Sequence, residues 1–506
     1  MLNGCIYHLL QYYLPPDKDK DLNFLSLHHL ASSAILDNED VIRSILLEVP
    51  PHLFSVIFKT AIIKKYYQSD KSMRLPGSLF HLILQWPYEE FSLLGLMPAL
   101  PPQSLKFKCF EKKSTICDPL KELQMEIDEI CEEVAVMVYR AMLTRSEGYT
   151  VSDRVYPPFK RVDLSGYSPP LGSYLNPSLL VHSTYLPDDS GNDKKTELII
   201  DVCIDGTNDL IAVESLVGMR TQNKSNIAVI FRKVKFLTEN IALIDIAKIF
   251  KIINDNNIEF LDIKFVKSPI IEEYFSSLCD KNNKIRGICV SLYSKESSLG
   301  YISSFNNLQQ LDISKQNIKN KLNLICSLPK GLVYLNLDGA KLSCDDFSAL
   351  KQSHHVNSLK QLNLSGTNFN NLDKLQCLLS LLEHLPNVKV LELNYCRLHE
   401  CSEDMFITLL DALHTLPNLA VLHLKMNFFS STWITSHFVK FSYCKTLKYI
   451  SSSIRIYINY LNMCEVQIKK YLADLQTSIE NDLCLGRDKP IHLGLRGIIW
   501  CNSDRN

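Results

Sequence analysis

The sequence predicts an α/β solenoid, a horseshoe of stacked repeats with an all-helical cap before it, and three observations predict this. A pattern L-x-x-L-x-L-x-x-(N/C/T)-x-L recurs through the C-terminal half, the stretches between its copies have helical periodicity, and the first 150 residues are helical in pattern without a copy. Such a pattern defines a leucine-rich repeat: L-x-L is a short strand with inward leucines, the ninth position closes a backbone turn, and the chain returns as a helix. Each unit buries its apolar edge only against its neighbours.

In chain order, residues 1–20 form an N-terminal tail and 21–150 a helical region. Leu27, Leu30, Ala31 and Ala34, extended by Ile35, make one apolar stripe, and Val41, Ile42, Ile45 and Leu46 a second. A third helix starts in "VPPHLFSVIF", where proline at the first turn costs no hydrogen bond. Another helix is expected in "SLFHLILQW", and a longer one after Asp118 as N-cap.

The solenoid is expected over 159–455. Copies of the template begin at Leu308, Leu332, Leu359, Val388 and Leu419, with starts 24, 27, 29 and 31 residues apart. Weaker copies begin at Ile258 and Ile285, and "FKRVDLSGY" from Phe159 is an isolated first copy. Helices are expected in "NLDKLQCLLSLLEHLP" and in "CSEDMFITLLDALHTLP", the second opening at Ser402 in the manner of a capping box. Ser, Pro, Gly and Asp enrich 165–196, which reads as a disordered insertion. Residues 456–506 supply a capping helix and a final strand, "PIHLGLRGIIW".

Composition narrows the function. Lysine and arginine number 54 against 55 aspartates and glutamates, so no basic footprint points to nucleic acid or a membrane surface. Sixteen cysteines without a CxxC pair read as reduced thiols, which places the chain in the cytoplasm, the nucleus or both. No nucleophile elbow, phosphate loop, H-E-x-x-H or zinc-spaced cysteine pair occurs, so no cofactor, metal or catalysis is expected.

What remains is a surface. The x of each L-x-L faces solvent on the concave sheet, giving a candidate substrate-binding column of Asp262, Asp312, Asn336, Asn363, Glu392 and His423, with Cys289 in the same line. Its mildly acidic character favours a partner with Lys, Arg or hydrogen-bond donors.

The order of features resembles the PRAME family of leucine-rich-repeat proteins: the "SLxxLAxxxI" helix, "VPPHLFSVIFKTA", "WPYEEFSLLGLM", an early isolated repeat, a divergent insertion and a C-terminal array. The resemblance extends from about residue 26 to 500. It implies a non-catalytic substrate receptor of a cullin-2 ubiquitin ligase. Ser26, Leu27, Leu30, Ala31 and Ile35 would then form the elongin-binding box, with Ala31 where the best-known boxes carry Cys. Val49, Pro50, Leu53 and Ile57 would form the cullin-binding box. The implied partners are elongin B/C, cullin-2 with its RING subunit, and an unidentified protein substrate. The alternative is a ligase-independent scaffold or repressor that binds a signalling or transcription factor through its repeats.

Overall fold

The structure is a computed structural model that describes residues 36, 57, 61, 90–92, 160–164, 196–204, 210–211, 213, 227–236, 258–263, 284–290, 297–458, 473–475, 477–479 and 492–501. It divides into two compact units, one made of Leu2–Lys112 and Glu122–Val266 and the other of Lys267–Asn506 with Met1 and Lys113–Lys121.

The first unit carries β1 (Glu90–Ser92), β2 (Arg161–Asp163), β3 (Thr196–Ile204), β4 (Ile227–Phe236) and β5 (Phe260–Ile263). Consecutive strands pair in parallel, so each added segment returns to start beside the one before. β2 and β5 occupy the early copies seen in "FKRVDLSGY" and "IEFLDI". β3 and β4 match no copy of the template. Their buried Leu198, Ile200, Val202, Val229, Phe231, Val234 and Phe236 fill the core instead. β1 corrects the expectation of an all-helical region over 21–150, because a parallel partner at Arg161–Asp163 gives Glu90–Ser92 a ladder to join.

The second unit carries β6 (Gly287–Val290), β7 (Gln310–Asp312), β8 (Tyr334–Asn336), β9 (Gln361–Asn363), β10 (Val390–Glu392), β11 (Val421–Phe429), β12 (Tyr449–Ile458) and β13 (His492–Cys501). Again every described pair is parallel and sequential. Between strands run α1 (Ser297–Ile302), α2 (Leu322–Cys326), α3 (Cys344–Gln352), α4 (Leu372–Leu382), α5 (Glu403–His414) and α6 (Ser431–His437). Strand followed by helix, repeated in chain order, is the leucine-rich-repeat architecture that the template predicts.

The leucine positions explain the packing. Leu308, Leu311 and Ile313, then Leu332, Leu335 and Leu337, then Leu359, Leu362 and Leu364, and their successors at 388–393 and 419–424 are all buried. Each such side chain contributes about 1.5–3 kcal/mol on leaving water. Opposite them the helices turn in one face, Leu375, Leu378, Leu381 and Leu382 from α4, and Phe406, Leu409, Leu410 and Leu413 from α5. At the last of these helices Phe429 and Trp433 stack at 4.2 Å, with Phe406 edge-on to Phe429 at 5.8 Å.

The turn after each strand has its own chemistry. The eighth template position is left-handed in five successive repeats: Lys315, Gly339, Gly366, Tyr395 and Met426. The ninth points inward. At the last copy it is Asn427, which is 0% exposed. Its Nδ2 donates to the Leu393 and Leu424 carbonyls, at 2.8 and 3.0 Å, and its Oδ1 accepts from the Cys396 and Leu398 N–H groups. One amide thus ties two consecutive turns together. Helix starts are capped by Ser343, Asn371, Ser402 and Ser430. The full capping box falls at Ser343 with Asp346, while Ser402 makes only a single cap to Met405, whose side chain cannot reciprocate.

Candidate functional site

The parallel register of the second unit lines up the central side chains in sequence. Cys289 lies opposite Asp312, Asp312 opposite Asn336, Asn336 opposite Asn363, Asn363 opposite Glu392, Glu392 opposite His423 and His423 opposite Ser451. Asp262 lies in the first unit, on β5, opposite Lys235 of β4. Ser451 was not marked in the sequence, because its repeat, "LKYISSS", carries Ser452 where the template wants a second leucine.

Neighbouring members of the column bind one another. Asn336 Nδ2 donates to Asp312 Oδ2 at 2.9 Å, and Asn363 Nδ2 and Gln361 Nε2 each donate to one oxygen of Glu392 at 3.2 Å. His423 Nδ1 is 2.6 Å from Ser451 Oγ. A second set of bonds turns each short side chain back on its own strand end: the N–H groups of Ser314, Asp338 and Ser365 donate to the Oδ1 atoms of Asp312, Asn336 and Asn363, two residues earlier. Asp and Asn favour this local closure.

That self-pairing corrects the expectation of a solvent-facing row. Asp312, Asn336 and Asn363 are 5%, 6% and 5% exposed, and Asp262 is buried as well. Short side chains on strands about 4.8 Å apart shield each other and spend their polar atoms on the ladder. Glu392 and His423 are half-buried, as are Asn394 and Lys425 beside them. The accessible part of the column therefore lies on β10 and β11, between buried Asn363 and buried Ser451.

Burial pushes the Glu392 carboxyl up to about 7, against the hydrogen bond from Gln361 and the nearby Lys425 charge, which pull it down. Burial, with the charges of Asp312 and Glu392, holds the Tyr334 phenol well above its ordinary value. Glu392 near neutrality can switch between accepting from a cation and donating a hydrogen bond. The His423 and Ser451 pair has the composition of a nucleophile and base, but Ser451 is fully buried, so no substrate carbonyl reaches its hydroxyl. Among the described residues no group of His, Cys, Asp and Glu is placed to hold a metal ion, and no helix is long and apolar enough to cross a membrane.

Of the two N-terminal boxes, Ser26, Leu27, Leu30, Ala31, Ile35, Val49, Pro50 and Leu53 lie outside the described residues. Ile57 is helical and 4% exposed, with Ala61, one turn on, also buried. Its side chain is therefore covered by this chain's own residues. Residues one turn apart share a helix face, and here that face is core.

No family model matches the chain, and none of the curated proteins matches it. Among solved structures it is similar to the leucine-rich repeat-containing protein LegL7 from Legionella pneumophila, at 15% identity and a TM-score of 0.36, over 60% of this chain and 90% of that one. It is also similar to the chain in the TLR13–ssRNA13 complex, at 14% identity and a TM-score of 0.26, over 60% of this chain and 37% of that one.

Proposed function

We propose that the chain is a non-catalytic protein receptor that holds a target protein on its repeat sheet. The observation that carries this reading is the polar column, whose half-buried members among the described residues, Glu392 and His423, lie on adjacent strands with Lys425 beside them. Backbone ladders hold these groups in place, so a partner loses little in ordering them. Glu392 accepts donors from a Lys or Arg side chain of the target, and His423 and Lys425 set which neighbours that side chain has.

The finer proposal is that the receptor serves a cullin-2 and elongin B/C ubiquitin ligase. Support comes from the sequence: "SLHHLASSAI" and "VPPHLFSVI" follow each other in the order of an elongin box and a cullin box. Amphipathic helices dock in apolar grooves through i, i+3, i+4 and i+7 anchors, and Leu27 is the anchor expected to contribute most. In such an assembly the rate of ubiquitin transfer rises by proximity, with no nucleophile needed from this chain.

A ligase-independent scaffold is the second reading, and the burial of Ile57 within the chain favours it. Affinity capture with mass spectrometry separates the two, comparing wild type with Leu27→Asp. Elongin B/C and cullin-2 lost from the variant while another partner persists supports the ligase receptor. Wild type that captures the partner but neither ligase subunit supports the scaffold.

A further inference from the structure

The turn that closes each repeat leaves its eighth and tenth positions on a rim at the C-terminal ends of the strands. In chain order the pairs are Lys315 and Asn317, Gly339 and Lys341, Gly366 and Asn368, Tyr395 and Arg397, Met426 and Phe428. Backbone bonds hold them in a row, the N–H groups of Gly339, Gly366 and Tyr395 each donating to the carbonyl before the next turn, on Ser365, Asn394 and Lys425. These pairs carry three cations and no carboxylate, in a chain whose total charge is −1.

The last two pairs differ from the middle two in chemistry at both positions and in conformation at the tenth. Tyr395, Arg397, Met426 and Phe428 all have φ between 54° and 59°, the left-handed region. The equivalent eighth positions one and two repeats earlier are Gly339 and Gly366, for which that region costs nothing. A residue with a Cβ costs roughly 1–2 kcal/mol there. Packing does not repay the cost at Tyr395, which is 56% exposed. Arg397 is exposed too, its guanidinium 3.8 Å from Glu400, an exposed pair of the kind that contributes little. Phe428 lies edge-on to His399 at 5.9 Å and is half-buried. Strained residues with large side chains held toward water mark a contact surface, and Tyr, Arg, Met and Phe are the types enriched where proteins bind.

We infer that this rim docks an extended acidic segment of a partner protein, its carboxylates on Lys315, Lys341 and Arg397 and an aromatic or leucine side chain against Tyr395 and Phe428. Five turns about 4.8 Å apart span roughly 19 Å, the length of about six extended residues. Charge complementarity selects carboxylates. The aromatic end selects a polypeptide over an anionic lipid surface, because a peptide carries an apolar side chain at a fixed spacing from its carboxylates. This inference stands whether or not the chain joins a ligase.

The test is to pan a random peptide library on the full-length chain and measure the selected peptides by fluorescence anisotropy. Tyr395→Gly copies the residue that two neighbouring repeats already carry, so the fold is kept while the ring is lost. Arg397→Glu reverses one charge. The expected result is enrichment of Asp and Glu beside Phe, Tyr or Leu, with affinity falling about tenfold or more in each variant and with added salt. Selected peptides without acidic bias, or affinities unchanged in both variants, would overturn it. So would a single-stranded oligonucleotide or an anionic vesicle binding in a way that depends on Tyr395 and Arg397 while no peptide does.

Discussion

Asp346 of one repeat caps the helix of the repeat before it: its Oδ1 accepts the Leu322 N–H at 3.1 Å. The other oxygen accepts from the Asn320 and Ser343 N–H groups and the Ser343 hydroxyl, at 2.9, 2.8 and 2.7 Å. The carboxylate is buried. Repeats are therefore joined by charge-assisted hydrogen bonds as well as by leucine packing.

Asp346→Ala removes these bonds and leaves buried donors without an acceptor. The expected loss is about 2–4 kcal/mol of unfolding free energy, read from urea denaturation. Ser343→Ala, which keeps the bond to Leu322, costs only about 1 kcal/mol.

Asn427 and Thr367 occupy the same template position two repeats apart, and opposite results are expected. Asn427→Ala strands the Cys396 and Leu398 N–H groups and costs about 2–3 kcal/mol. Thr367 has a buried hydroxyl without a hydrogen-bond partner, so Thr367→Val is neutral or stabilises by up to about 1 kcal/mol. Thermal or urea unfolding of the two variants side by side checks both signs.

His355 is fully buried, its Nδ1 accepting from the Leu332 N–H at 3.2 Å and its Nε2 3.0 Å from the Ile325 carbonyl. Burial lowers its pKa from 6.5, helped by His354 and opposed by the bond to Ile325. The folded state therefore binds fewer protons than the unfolded chain. Its contribution is present in full above pH 6.5 and is lost as pH falls below that value. Urea midpoints at pH 8 and pH 5.5 should differ by more in wild type than in His355→Gln.

Glu392 runs the other way. Its carboxyl is raised from 4.5 to about 7, so folding retains a proton over that window and stability declines as pH rises through it. Glu392→Gln removes the decline and is expected to be more stable at pH 8 by on the order of 1 kcal/mol. Binding of a target through Lys or Arg to wild type should strengthen as pH rises past 7. Titrating affinity against pH for both proteins separates the two effects.

The strands from Phe260 to Glu392 and the register of their central side chains were legible in the sequence, since a leucine pair flanking one residue fixes which face each side chain takes. β3 and β4 were not, because "ELIIDVCI" is a near-continuous apolar run without alternation, and β4 carries Phe231, Val234 and Phe236 where the template wants leucines. Burial of Asp312, Asn336 and Asn363 escaped for a different reason. Side chains that satisfy themselves across a ladder look the same in sequence as ones that await a ligand. The left-handed Tyr395 and Met426 were hidden by the template, which leaves the eighth position open.

Whether this chain joins a cullin-2 ligase, as proposed, is decided most directly by size-exclusion chromatography of the purified full chain mixed with elongin B/C and cullin-2 at micromolar concentration. A ligase receptor gives one co-eluting complex with wild type and loses it with Leu27→Asp, while circular dichroism shows the variant still folded. Wild type eluting apart from both partners, or Leu27→Asp binding as wild type does, would contradict it.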